Sequence, residues 1–317
     1  MLKELQYAQK WLADGHPIVL AVVAQTWGSA PRPKGSLMVI HEDGHFEGSV
    51  SGGCVEGSVI GEASVLMGTH TSKTLDFTVA SEDAWQIGLA CGGQIQIQLF
   101  PLGKNDAAPI KSALEYLGNR RAGELVLSKT KFGTSFSTDS KPENSQVPLV
   151  ETEQDLTLII WPLPVLCIVG AVHIAQALTS MAVACGYDTT IIDPRGIFVE
   201  ERNFSGATIV HDWPDEFLQT HRLDASSALV TLTHDPKIDD AALLAGLGSD
   251  AFYIGSLGSK KTHAARIERL LEQGVAADQL ERIHGPIGLN IGSKSPAEIA
   301  VSIMAQITAA RRGIHAV

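Results

Sequence analysis

Two short runs place a thiol beside paired glycines, Ser51-Gly52-Gly53-Cys54-Val55-Glu56-Gly57 and Leu89-Ala90-Cys91-Gly92-Gly93. A cysteine at the start of a helix meets the free amides and the positive end of the helix dipole, which favour the thiolate, the form that acts as nucleophile or metal ligand. Glycines at its side let a ligand approach the backbone closely. Helical spacing over residues 54–63 puts Cys54 at such a helix N-terminus, and Cys91 stands just ahead of the alternating strand 94–99. Cys54, Cys91, Gly52, Gly53, Gly92 and Gly93 are therefore candidates for holding a ligand, with both thiols as candidate metal ligands. The alternative for either thiol is a small packing residue beneath a glycine turn. Cys-x-x-Cys spacing is absent and no His lies close to either thiol in sequence, so a structural zinc site fits poorly. Cys167, inside an apolar run, and Cys185, at a helix end before Gly186, are expected in the core.

Further candidates favour anions. Arg32 and Lys34 are stiffened by Pro31 and Pro33, and an Arg fork suits phosphate; a solvated loop charge is the alternative. Gly170-Ala171-Val172-His173 follows a strand and opens a helix, and Asp193 closes the next strand 23 residues after Gly170. That is the context of a dinucleotide pyrophosphate at a helix N-terminus with an acid on the ribose. Val172 stands where the fingerprint has its second glycine, which counts against tight NAD(P) binding in the usual pose. His173 faces a ligand from the first helical turn or is a satisfied structural histidine. Gly255-Ser256-Leu257-Gly258-Ser259-Lys260-Lys261-Thr262 is a second candidate anion cradle, and Gly285-Pro286-Ile287-Gly288 leads towards a helix capped by Ser295, Pro296 and Glu298.

The elements that position these residues fall into two styles. The first part opens with a helix, then the apolar strand 18–23, the strand 36–41, the Asp43-Gly44 turn and a short strand at 48–50. From residue 156 onward strands and helices alternate, with strands at 165–169, 189–192, 208–210, 228–232 and 252–254, which implies a parallel sheet wound by helices on both faces. The fold class expected is α/β: an N-terminal mixed α+β domain over 1–103, a polar connector with some structure of its own over 104–155, and a Rossmann-like doubly wound domain over 156–317.

A chain of 317 residues exceeds the roughly 250–300 at which single cores stop growing, consistent with two domains. The formal charge of -11 and the lack of long Lys/Arg clusters exclude nucleic acid as the expected partner. No window offers the roughly 18 apolar residues of a membrane span. The N-terminus lacks the pattern of a signal peptide, and four cysteines are too few for a disulfide framework, so the expected compartment is reducing cytoplasm. A homodimer is the default oligomer.

Taken together, these stretches resemble the XdhC/CoxI family, accessory proteins of molybdenum hydroxylases such as xanthine dehydrogenase. The likeness runs over nearly the whole chain. It rests on Gly28-Ser29-Ala30-Pro31-Arg32, the run from Gly48 through Gly57, Gly88-Leu89-Ala90-Cys91-Gly92-Gly93, the Gly170 turn, Asp193-Pro194-Arg195, Tyr253-Ile254-Gly255-Ser256-Leu257-Gly258-Ser259 and the tail from Gly285 to Ala300. Similar proteins usually carry Gly-x-Gly-His at the turn where this chain has Val172. The resemblance implies a chaperone, not a turnover enzyme, that binds molybdenum cofactor in its molybdopterin mono- or dinucleotide form, shields it, and supports its sulfuration by a cysteine desulfurase. It would then insert the cargo into an apo molybdenum hydroxylase, with a molybdopterin nucleotidyltransferase as a further partner. Cys54 and Cys91 would face the molybdenum, while Arg32 and the glycine loops hold the phosphate end. Two other functions remain open on these residues: an NAD(P)-dependent oxidoreductase built on Gly170, His173 and Asp193, and a sulfur relay carrying persulfide on Cys91 or Cys54. A scaffold without ligand is the plainest alternative.

Overall fold

The computed structural model describes residues 1–28, 30, 32–78, 93–131, 133–138, 149–196 and 203–314. They form two compact units, Met1–Pro162 and Leu163–Val317.

The first unit contains α1 (Leu2–Ala13), β1 (Ile18–Trp27), β2 (Leu37–His41), β3 (Phe46–Gly48), α2 (Glu56–Leu66), β4 (Lys73–Phe77), β5 (Gln94–Leu102), α3 (Ala107–Gly118), β6 (Gly123–Ser128), β7 (Thr134–Ser137), β8 (Leu149–Glu151) and β9 (Asp155–Ile160). One antiparallel sheet has the order β3-β2-β1-β5-β4 and a second the order β7-β6-β9-β8. Strand β1 is apolar throughout its first part because both of its faces are covered. Ile18, Leu20, Val22 and Ala24 share a core with α1, α3 and the second sheet, whereas Val19, Ala21 and Val23 meet Val59 and Ala63 of α2.

The stretch expected as a connector over 104–155 is instead a built part of this unit. Leu125 and Leu127 of β6 and Leu156 and Leu158 of β9 point into the same core as Leu5 and Leu20. Each strand has one face partly exposed, where Glu124, Ser128, Asp155 and Thr157 give the stretch its polar composition, while the alternate side chains are buried. The domain boundary accordingly falls at Pro162, not before residue 156, because β9 pairs with β6. The short strand expected at 48–50 lies earlier: β3 ends at Gly48.

The second unit contains β10 (Val165–Val169), α4 (His173–Ala184), β11 (Asp188–Ile192), β12 (Ala207–Val210), α5 (Pro214–Thr220), β13 (Ser227–Thr231), α6 (Pro236–Leu247), β14 (Tyr253–Ser256), α7 (Lys260–Glu272), α8 (Ala277–Leu280), β15 (Ile283–His284) and α9 (Pro296–Arg311). Its parallel sheet has the order β12-β11-β10-β13-β14-β15. The chain runs outward from β10 in one direction and from β13 in the other, so a crevice opens at the carboxyl ends of those two strands. Leu166 and Ile168 of β10 pack with α4 and α9, while Cys167 and Val169 pack on the face of α5, α6 and α7. Cys167 is core as expected; Cys185, expected there too, is exposed because it falls at the C-cap of α4, beyond the helix's buried stripe. No helix among the described residues is long and apolar enough to cross a membrane.

Gly170, directly after β10, combines φ +108° with crowding: a Cβ there would lie 2.6 Å from Thr233 Cγ2 and 3.2 Å from Thr233 N. Gly186 has φ +80° but nothing within 4 Å. Gly170→Ala should lower stability by about 2 kcal/mol or more, and Gly186→Ala by about 1 kcal/mol, the backbone cost alone. Urea denaturation of both variants checks this; equal losses would show that close approach to Thr233 contributes nothing.

Candidate functional site

The end of the five-stranded sheet where β1 finishes collects the described candidate residues of the first unit. Strand pairing sets Trp27 opposite Gln94, Val22 opposite Leu37, and Met38 opposite Gly48. The loop from Gly28 to Ser36, the loop that follows β3, and the chain entering β5 therefore all leave from one end. Arg32 and Cys54 lie on the first two and Gly93 on the third. Arg32 Nε donates to the carbonyl of Ser49 at 3.3 Å, which ties the cationic loop to the loop of Cys54. Gly93 is buried at the entry to β5. Cys91 and Gly92 lie outside the described residues, as do Ser29 and Pro31.

The Cys54 loop is shaped by a residue that its cysteine-glycine signature does not single out. Gly52 and Gly53 take φ +82° and +118°, which curls the chain so that successive amides converge. The carboxylate filling that concavity belongs to Glu56, the first residue of α2. Its Oε1 accepts from the amides of Val50 at 3.2 Å, Ser51 at 2.9 Å and Gly52 at 3.0 Å, and from Ser49 Oγ at 2.7 Å. Its Oε2 accepts from the amide of Gly53 at 2.9 Å and from Ser51 Oγ. Ser51 Oγ in turn accepts from the amides of Cys54 and Val55, each at 3.0 Å. Burial of the Glu56 carboxyl opposes its ionisation, yet the bonds from Ser51, Ser49 and the backbone outweigh it and hold the pKa down to about 2.

Two expectations change as a result. The amides of Gly52 and Gly53 already bind an anion of the chain itself, so they are not a free cradle for a phosphate. Cys54 lies one residue before the N-cap, Val55, and is exposed. What remains at this site is a thiol on a rigid loop, next to two exposed positions without side chains.

A second polar group, with no sequence signature, links β1 to the second sheet of the same unit. Glu151 accepts from Gln25 Nε2 at 2.8 Å and from Lys129 Nζ at 2.7 Å, and Lys34 Nζ donates to Gln25 Oε1. Lys34 is thus engaged within the fold, although the sequence offers it to an anion.

In the second unit, Gly170 makes the expected turn and His173 is exposed as the first residue of α4. Asp193 does not present its carboxylate to a ribose. It is fully buried, accepts from the amide of Ala171 at 2.8 Å, and takes the amide and Nε of Arg195 at 2.9 Å and its Nη2 at 2.9 Å. Burial acts against its charge, and the bonds from Arg195 and Ala171 overcome this, leaving the pKa lowered. The cause is local: Arg195 lies two residues on, close enough to turn its fork back onto the acid. Asp239 pins the neighbouring loop in the same way, accepting from Thr233 Oγ1 at 2.7 Å and from the amide of His234 at 3.1 Å, where His234 takes φ +63°. The second expected cradle is also engaged internally. Ser259 Oγ accepts from Thr262 N at 3.1 Å, Arg266 Nη2 holds the carbonyl of Leu257 at 2.8 Å, and a Cβ on Gly255 would meet Ile287 Cδ1 at 2.6 Å.

Glu56→Gln should cost about 1–3 kcal/mol near neutral pH, since some amide donors lose their acceptor. The sign follows from a folded pKa below that of the unfolded chain: the carboxylate stabilises above its unfolded value of 4.5, and this contribution fades as pH falls towards about 2. Denaturation midpoints of the two proteins should therefore differ at pH 7 and converge in strong acid. A gap independent of pH would show that the charge on Glu56 is not what holds the loop.

Residues 166–307 match the family described as XdhC Rossmann domain, and residues 11–78 match the XdhC and CoxI family. The molybdenum cofactor insertion chaperone PaoD of Escherichia coli strain K12 is 29% identical over 317 residues, covering 97% of this chain and 87% of that protein. A probable xanthine dehydrogenase subunit of Bacillus subtilis strain 168 is 27% identical over 329 residues, covering 96% of this chain and 97% of that one. A crystal structure described as a xanthine dehydrogenase from Bacillus halodurans has the same fold with a TM-score of 0.78 at 27% identity, covering 98% of this chain and 96% of that one. With the first unit matching one model and the second unit the other, the chain belongs to the XdhC and CoxI family.

Proposed function

We propose that this protein is an insertion chaperone for molybdenum cofactor. It takes the cofactor as cargo and delivers it to an apo molybdenum hydroxylase of the xanthine dehydrogenase or aldehyde oxidase type. The observation that carries the reading is the 29% identity, over 97% of the chain, to a protein named as a molybdenum cofactor insertion chaperone. The site of the first unit agrees in its chemistry. Molybdenum accepts soft sulfur ligands, and Cys54 is an exposed thiol on a loop whose geometry is fixed from within. Arg32, joined to that loop through Ser49, supplies the charge for the phosphate end of the mono- or dinucleotide form, and Cys91 is proposed as the second thiol.

The same reading assigns the partners. A cysteine desulfurase supplies sulfur to the bound cofactor, a molybdopterin nucleotidyltransferase precedes the chaperone when the cargo is a dinucleotide, and the chaperone itself is a homodimer. Delivery requires that docking of the recipient weaken the hold on the cargo, a coupling between two binding events. An exposed site suits such a hand-over better than an enclosed one. Nicotinamide-dependent oxidoreduction has weaker support: the carboxylate that would take the ribose hydroxyls is bonded to Ala171 and Arg195, and Val172 stands where close backbone approach calls for glycine.

The protein should be produced in cells that make molybdenum cofactor, purified without oxygen, and assayed for molybdenum and for the fluorescence of oxidised pterin. Both are expected in near-equal amounts with the chain. Cys54→Ser should lower bound molybdenum by roughly tenfold or more, the loss that weakening a metal's ligand shell brings, with thermal stability unchanged. Cargo absent from the native chain, or fully retained by both Cys54→Ser and Cys91→Ser, would refute the proposal.

A further inference from the structure

At the far end of the five-stranded sheet from Cys54, three side chains converge with donor atoms suited to a different metal. His16, Glu42 and His41 each bring one ligand atom within 4.8 Å of the other two. His16 Nδ1 lies 2.6 Å from Glu42 Oε1, and the rings of His16 and His41 have centroids 4.8 Å apart. A second carboxylate backs the group: Asp43 Oδ1 lies 2.8 Å from His41 Nδ1 and 2.9 Å from His45 Nδ1. The backbone beneath is set by the fold. The amide of His16 closes the end of α1 on the carbonyl of Trp11 at 2.9 Å, and the amide of His41 begins the hairpin turn on the carbonyl of His45 at 2.8 Å. The ring of His41 also packs against that of Trp11, with centroids 5.0 Å apart.

We propose that His16, His41 and Glu42 form a binding site for a divalent transition cation of the zinc class, separate from any site for molybdenum cofactor. Two imidazoles and a carboxylate are the donors such ions choose, whereas calcium and magnesium prefer oxygen alone. A zinc ion holds these ligands at about 2.0–2.2 Å, so neighbouring donors stand about 3.3 Å apart. The ion replaces the proton shared by His16 and Glu42, spreads that contact, and draws both side chains towards His41; the displaced proton goes to solvent. His16 and Glu42 are about half-exposed and free to make this adjustment, while His41, with a side chain only 11% exposed, is the fixed point. Asp43 is a positioning residue: it touches the imidazole of His41 and orients it for the ion, as outer carboxylates do at zinc sites. Three protein ligands leave the remaining position to water, so the ion is exchangeable.

The test is equilibrium dialysis of the full chain, stripped with a chelator, against zinc chloride. Because thiols also bind zinc, the measurement is repeated with cobalt(II), whose absorption separates nitrogen and oxygen ligands from thiolate. One saturable ion per chain with a thiolate-free cobalt spectrum is expected. Affinity should fall by roughly tenfold or more in His16→Ala and in Glu42→Gln, an isosteric change at an exposed residue that leaves the hairpin folded, and by a similar factor in Asp43→Asn. Cys54→Ser should bind as the native chain does. Absence of saturable binding, a thiolate spectrum, or equal affinity in His16→Ala, Glu42→Gln and the native chain would overturn the proposal and leave His16 and Glu42 as a plain hydrogen-bonded pair.

Discussion

The arrangement around Cys54 depends on one carboxylate that faces inward. A left-handed glycine pair bends the chain at a cost in conformational entropy, and it brings several amides to one point where neither a strand nor a helix can satisfy them. Glu56 satisfies them from a single turn away, using both of its oxygens. Removing the acid would leave curled backbone with buried donors; removing the glycines would leave the acid with nothing to bind. Each requires the other, and the exposed thiol is positioned by their agreement.

The same device recurs in the second unit. Asp193 joins the end of β11 to the turn after β10, Asp239 gathers the loop after β13, and Glu298 takes the amides of Lys294 and Ser295 at the start of α9. In every case a chain anion occupies backbone donors that a nucleotide-binding protein could turn towards phosphate. An acidic chain carrying a formal charge of -11 can therefore fix its loops without external anions.

Much of this is legible in the sequence. The strand and helix alternation from residue 165 onward implies the parallel sheet, since buried parallel strands are short and apolar while their helices are not. The Ser295, Pro296 and Glu298 cap is present as its residue types imply. Harder to read are features set by partners distant in sequence. The sheet built from β6 to β9 reads as a polar linker because its outer face is wet, and Glu151 gives no local sign of meeting Gln25 and Lys129. Asp193 misleads for the opposite reason. Its position matches a ribose-binding acid, but only the conformation reveals that Arg195 and Ala171 have already claimed both of its oxygens. Glu56 belongs to the cysteine motif, yet a capping role needs the φ values of Gly52 and Gly53 to be known first.

The position of β9 bears on how the chain is made. Strand β1 must wait for β5 before the centre of its sheet can close, and β6 must wait for β9, which ends at Ile160. The first unit thus lacks a structural strand until almost its last residue, Pro162, and lacks none afterwards. On a ribosome, where domains generally fold as units from the N-terminal end, this half can complete both of its sheets before the last strands of the parallel sheet have been made. Order of synthesis and order of closure coincide, so the central strands β1 and β6 can find their partners before most strands of the second half are made.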